Sequence, residues 1–256
     1  MTHEPLHLIR IPVDSRKLYE FARRNGLPSH ELDEGYATHA LLSALFDHGA
    51  QPQDRVSPKP FRLMDPTSRK IEVFGYARVD HSVLRERARA FADPLSWDVC
   101  DLEDMASRPV PFFEPGRKLG FSVRACPVRR VAKRGNQRQE RAEVDVFLAK
   151  SWEVNDPSVK LDREGIYREW LAEQLERGGG ARLLEASLKS HQREPMHRRT
   201  QGEHRKGRRV SHPSIVFEGV LEVLDSSAMH GTIARGLGRH RSFGFGMILL
   251  RPSARG

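Results

Sequence analysis

Cysteine is scarce in this 256-residue chain: Cys100 and Cys126 are the two, far apart and outside any Cys-x-x-Cys spacing. That argues against a disulfide framework and against a cysteine zinc site. Long apolar runs are missing too, and no stretch approaches the length a spanning helix needs. The opening Met1-Thr-His-Glu-Pro-Leu6 has neither the basic nor the apolar region of a secretory leader, so a cytoplasmic, reducing setting is expected. Familiar chemical motifs are equally absent. There is no His-Glu-x-x-His helix, and the glycine-rich segment precedes a strand instead of joining a strand to a helix, unlike a P-loop or a dinucleotide fingerprint.

Positive charge is abundant. Lys and Arg number 43 against 34 Asp and Glu, a formal charge of +9, which favours a polyanionic partner. The most informative segment is Gly236-Leu-Gly-Arg-His-Arg-Ser-Phe-Gly-Phe-Gly246, followed by the apolar Met247–Leu250. Gly236, Gly238, Gly244 and Gly246 give the backbone access to positive φ. Arg239, His240 and Arg241 lie between them, which suits phosphate oxygens. The plain alternative is a solvated surface turn.

The chain reads as two rounds of βαββαβ, an α+β architecture of tandem ferredoxin-like (RRM-like) domains, 1–108 and 109–256. In the first, Leu6–Val13 is a strand, Tyr36–Phe46 a helix after a polar connection, and Phe61–Met64 and Ile71–Val79 are strands. Val83–Phe91 is an amphipathic helix, and Trp97–Leu102 closes the unit as a strand. Prolines at 109, 111 and 115 punctuate the boundary. In the second, Lys118–Val128 is a strand ending in the basic run Arg129, Arg130, Lys133, Arg134. Glu164–Arg177 is a helix, Ala181–Leu188 and Ser214–Leu224 are strands, and a short helix leads to the glycine loop and last strand. A basic insertion (about 189–212) carries Arg198, Arg199, Arg205, Lys206, Arg208 and Arg209 with almost no apolar residues. It reads as a protruding loop or helical finger for nucleic acid, or as a solvated tract.

These residues resemble the CasE-like branch of the CRISPR repeat endoribonucleases. The loop Gly236-x-Gly-x-x-Arg-x-x-Gly-x-Gly246 is similar to that family's signature. Val216–Leu221, Glu169–Leu175 and Phe121–Pro127 resemble three further segments, with Cys126 where asparagine is usual. Tyr36-x-x-His39 falls where the family carries a catalytic tyrosine and histidine, and a three-residue helical spacing puts both on one face. The segment Arg16–Gly35 is longer than the family pattern. Its Arg23 and Arg24 join the catalytic set by similarity to type IV relatives that rely on arginines.

The resemblance implies precursor CRISPR RNA as substrate and cleavage without metal or cofactor. The RNA 2′-OH attacks the adjacent phosphorus, leaving 2′,3′-cyclic phosphate and 5′-OH ends. It also implies that the product stays bound within an effector complex of other subunits, in a type I-E-like or type IV-like system. Gly236, Gly238, Arg239, His240, Arg241, Gly244, Gly246 and the two basic runs would bind the RNA. Two rivals stand beside this reading. One is a non-catalytic RNA-binding subunit, although the RNA-recognition-motif consensus is not evident. The other is a metal-dependent nuclease built on His7, His30, His39 and His48, which share no recognisable metal spacing.

Overall fold

Strand β1 (His7–Asp14) buries every second residue, Ile9, Ile11 and Val13, and turns Arg10 and Pro12 the other way, the alternation of a half-buried strand. Its last residue, Asp14, caps helix α1 (Ser15–Arg24) by accepting the Arg16 and Lys17 N–H groups. The sequence reads as a polar connection here. The helix buries only Leu18, Phe21 and Ala22, so its charged majority hides the short apolar stripe. The computed structural model describes residues 5–27, 32–65, 68–132, 141–199 and 207–253.

Asp33 caps helix α2 (Glu34–Phe46) through the Tyr36 N–H, and Ala37, Leu41, Leu42, Leu45 and Phe46 enter the first core. Strands β2 (Phe61–Met64) and β3 (Lys70–Ala77) follow, then helices α3 (His81–Phe91) and α4 (Pro94–Trp97). The closing strand is β4 (Ala106–Pro109), not the expected Trp97–Leu102. Trp97 ends α4, and its indole N–H donates to the Ala88 carbonyl at 3.1 Å. Cys100 keeps a lone bridge to Val13. β4 is mostly exposed, so no apolar alternation marks it. The antiparallel sheet runs β2-β3-β1-β4.

The second unit repeats the plan. Strand β5 (Lys118–Ala125) leads to a hairpin of β6 (Val128–Ala132) and β7 (Arg141–Asp145), then helices α5 (Val146–Val154) and α6 (Arg163–Glu176). Strands β8 (Ala181–Arg199) and β9 (Gly207–Val223), helix α7 (Ser226–Arg235) and strand β10 (Ile248–Pro252) complete it. Its sheet runs β10-β5-β9-β8. Counting β5, β8, β9 and β10 as first to fourth, both sheets have the order 4-1-3-2, so the chain is a tandem ferredoxin-like fold.

Over its described residues, 189–199 and 207–212, the basic insertion is neither a loop nor a helical finger. β8 and β9 run through it as a ladder, from Gln192 opposite Ser214 to Arg199 opposite Gly207. Backbone hydrogen bonds build such a ladder without an apolar pattern. Arg205, Lys206, Lys133 and Arg134 lie outside the described residues, as do the side chains of Arg198, Arg199, Arg208 and Arg209.

Each half has its own core, one around Leu41, Phe46 and Phe61 and the other around Phe121, Tyr167 and Phe217. Tyr76 of β3 crosses between them. It packs in the second core, and its hydroxyl donates to the Ile248 carbonyl of β10 at 2.7 Å in a buried setting. Tyr76→Phe should therefore lower unfolding free energy by about 0.5–1.5 kcal/mol. Urea denaturation measures this, and an unchanged midpoint would show that the bond adds nothing net.

Candidate functional site

The glycine loop is folded by its own backbone. Gly236 ends α7 at φ +71°, His240 sits in the left-handed region at φ +59°, and a 3-10 turn spans Arg241–Phe243 before Gly244 at φ +83°. The Leu237 N–H donates to the Gly246 carbonyl at 2.8 Å, and the Gly246 N–H to the Arg124 carbonyl at 2.7 Å. The loop is thus closed on itself and tied to β5.

That closure delivers Phe243 to the start of α2. The Tyr36 ring stacks on Phe243 with centroids 5.8 Å apart and planes within 9°, and His39 meets it edge-on at 5.2 Å and 83°. Gly35 makes the approach possible, because a Cβ there would overlap the Phe243 carbonyl. The two segments singled out in the sequence, one from each half, therefore meet. Phe243 lies inside the glycine loop, but a lone aromatic among glycines and cations gives no sign in the sequence of a partner in the other half.

His39 is half-buried, and its Nδ1 has no hydrogen-bond partner among the described residues. Burial pushes its pKa down to about 4; Lys59 and Arg55 add to the shift and Asp47 opposes it. Asp47, at the end of α2, accepts from the Ser57 hydroxyl at 2.6 Å and the Val56 and Ser57 N–H groups, and pairs with Lys59 at 3.4 Å. The imidazole is neutral at pH 7. The unfolded chain binds a proton between pH 6.5 and about 4 that the folded chain does not, so this residue makes stability fall as pH drops through that window.

Beside Phe243 a cleft of about 440 Å³ is lined by Glu34, Arg62, Arg124, Glu194 and His212. The Arg124 guanidinium lies 4.4 Å over the Phe245 ring, pairs with Glu194, and donates to Ser214 Oγ at 3.2 Å. Arg62 donates to Ser122 Oγ at 2.9 Å; its burial and the nearby Arg124 charge lower its pKa. Neither cation was expected as a site residue: Arg124 lies inside the family-like segment Phe121–Pro127 but was given no role, and Arg62, a single arginine on a strand, carries no local signature.

The other expected residues divide. Arg129, Arg130, Gly238 and Arg239 border one polar cleft with Trp170. His240, expected at the RNA surface, is turned inward: its side chain is 6% exposed and its Nε2 lies 2.9 Å from Glu143 Oε2. Arg239 pairs with the same carboxylate at 2.8 Å. Arg241 donates to the Arg235 carbonyl at 2.7 Å, which anchors the loop to the end of α7. Arg23 and Arg24 are not brought to Tyr36 and His39. Arg24 lines a cleft with Ala44 and His48 at the far end of α2, and Arg23 a shallow one with Arg16 and Glu20.

Two glycine substitutions separate contact from propensity. Gly35→Ala should destabilise by about 1–3 kcal/mol, because backbone must move to admit the methyl group. Gly231→Ala, in α7 with open space around it, should stabilise by about 0.5–1 kcal/mol. Thermal or urea unfolding reads both signs, and a neutral Gly35→Ala would mean that α2 and the loop are not closely apposed.

Comparison with known proteins supports the same grouping. The family model described as CRISPR associated protein matches residues 6–252. The CRISPR-associated endoribonuclease Cse3 of Thermus thermophilus is 29% identical over 153 residues, covering 56% of this chain and 59% of that protein. The match thus spans under two thirds of that relative's length. The solved structure of Thermus thermophilus Cse3 bound to an RNA representing a pre-cleavage complex aligns at TM-score 0.57 and 21% identity, over 97% of this chain and 100% of that one. Cas6e from Escherichia coli aligns at 0.52 and 20%, over 96% and 100%. Both share the fold, and the family model covers nearly the whole chain: this protein belongs to the CRISPR associated protein family.

Proposed function

We propose that this protein is an endoribonuclease that cuts repeat hairpins of precursor CRISPR RNA by attack of the RNA 2′-OH, without a catalytic metal, and remains on the product in an effector complex. The contact that carries the reading is Tyr36 and His39 packed on Phe243 of the glycine loop. The endoribonuclease relative and a structural neighbour described as a CRISPR RNA-guided surveillance complex, at TM-score 0.55 and 17% identity, support the substrate and the retention. Among the described residues no helix is long and apolar enough to cross a membrane; the expected cytoplasmic setting forms part of the reading.

The chemistry follows from the electrostatics. Neutral His39 has a lone pair for the 2′-OH proton. A docked phosphodiester favours imidazolium and raises the pKa from its low free value, bringing the transfer nearer to balance at neutral pH. Tyr36 orients the reacting group and donates a hydrogen bond. Arg62, Arg124 and Lys59 supply the positive field for the charge that builds on phosphorus, a part first given to Arg23 and Arg24. The β8–β9 hairpin and the Arg129–Arg130 cleft grip the stem through phosphates, since the A-form major groove is too narrow for side chains.

His39→Ala should slow single-turnover cleavage of repeat RNA by about 10²–10⁴-fold while affinity stays within a few fold. In the wild type, kcat/KM should hold below the ordinary histidine range and fall as pH drops towards about 4, because protonation removes the base. A 2′-deoxy substitution at the scissile nucleotide should abolish cutting. Tight binding with no cleavage of native RNA would leave a non-catalytic RNA-binding subunit.

Neutralising Arg198, Arg199, Arg208 and Arg209 together should weaken binding to native and scrambled stems alike. It should flatten log affinity against log salt by roughly 0.7–0.9 per lost phosphate contact. An unchanged slope would move the RNA path off the hairpin.

A further inference from the structure

We propose that Cys126, His212 and His240 form a metal site of the zinc type that fastens the glycine loop to the second sheet. Their donor atoms all lie within 4.8 Å of one another. Each comes from a different element: Cys126 follows β5, His212 lies on β9, and His240 lies in the loop. Sequence spacing gave no sign of this, and the two cysteines alone had argued against a zinc site.

The donor set suits the ion. One thiolate and two imidazoles are borderline-soft ligands of the kind zinc takes in tetrahedral sites. With Zn–S about 2.3 Å and Zn–N about 2.0 Å, neighbouring donors in a tetrahedron sit roughly 3.3–3.6 Å apart. Closure by about an ångström, within reach of side-chain rotation, completes the site. Three protein donors leave a fourth position for a water.

The surroundings are those of a built site. Cys126 is fully buried and His212 is 4% exposed. Val128, Met196 and Phe245 form an apolar cluster with Cys126. The carboxylate of Glu143, at 2.9 Å from His240 Nε2, orients that ring. Such carboxylate–histidine pairing orients metal-bound imidazoles. A dication with one thiolate has a net charge of +1, and the buried Glu143 beside it shares its carboxylate with Arg239. His240 is also held at φ +59°, a left-handed conformation uncommon for a residue with a side chain, and that conformation turns its ring inward, 4.8 Å from the His212 ring.

The consequence is positional. The ring of His240 lies 6.4 Å from that of Phe243, and Phe243 is the surface against which Tyr36 and His39 pack. The bound ion would act as a rivet for the loop without touching the reacting phosphate.

The test uses the full chain, reduced, dialysed against a chelator and titrated with Co²⁺. One equivalent should bind with a near-ultraviolet thiolate-to-cobalt charge-transfer band and the strong visible absorption of a four-coordinate ion, and Zn²⁺ should displace it. Cys100→Ser, at the other buried thiol, should keep the band; Cys126→Ser should lose it. His212→Gln should weaken Co²⁺ binding at least tenfold. Zn²⁺ should raise the melting temperature of the wild type and not of Cys126→Ser. Because the chain has two thiols, survival of the band in Cys100→Ser assigns it to Cys126 even if the Cys126 variant folds poorly. A wild type that gives no stoichiometric charge-transfer band, or a band that survives in folded Cys126→Ser, overturns the proposal.

Discussion

Backbone meeting backbone at Gly35 and Phe243 is the constraint on which the rest of the site depends. A helix from the first half and a loop from the second approach so closely that a single methyl group does not fit between them. Packed interiors do not yield smoothly to added volume, so the two halves are held in one relative position. Tyr36 and His39 then take their geometry from a ring in the other half of the chain. The Tyr76 hydroxyl on Ile248 holds the same joint from the opposite side of the sheets.

Electrostatics within that joint are asymmetric. The arginines nearest the helix start are engaged before any ligand arrives: Arg124 by Glu194, and Arg62 by a serine hydroxyl. Burial first, and then the charges of Lys59 and Arg55, depress the proton affinity of His39.

What the sequence disclosed follows physical lines. Helix α2 and the glycine loop were legible because caps, apolar periodicity and glycine clusters are local signals. Helix α1 was not, since Leu18, Phe21 and Ala22 are too few to mark a stripe among charges. The hairpin escaped because a ladder of backbone hydrogen bonds needs no particular side chains. Arg23 and Arg24 joined the catalytic set by similarity to type IV relatives, but Arg24 borders the far end of α2 with Ala44 and His48, and Arg23 faces a shallow cleft of α1 alone. Phe243, Arg62 and the Cys126–His212–His240 group depend on tertiary contact, which no single window of sequence contains.

The extension of β8 and β9 beyond their sheet has an evolutionary corollary. As far as Met196 the ladder is pinned, by Glu194 on Arg124 and by Met196 in the cluster around Cys126, and past it the two strands pair only with each other among the described residues. Beyond Met196 rungs can be added or removed in twos without displacing Met196 or His212, and each change alters how far the ladder extends. An odd change is different: it turns every outer residue to the opposite face. Reach and facing are therefore adjustable in separate steps while the joint between the halves stays unaltered.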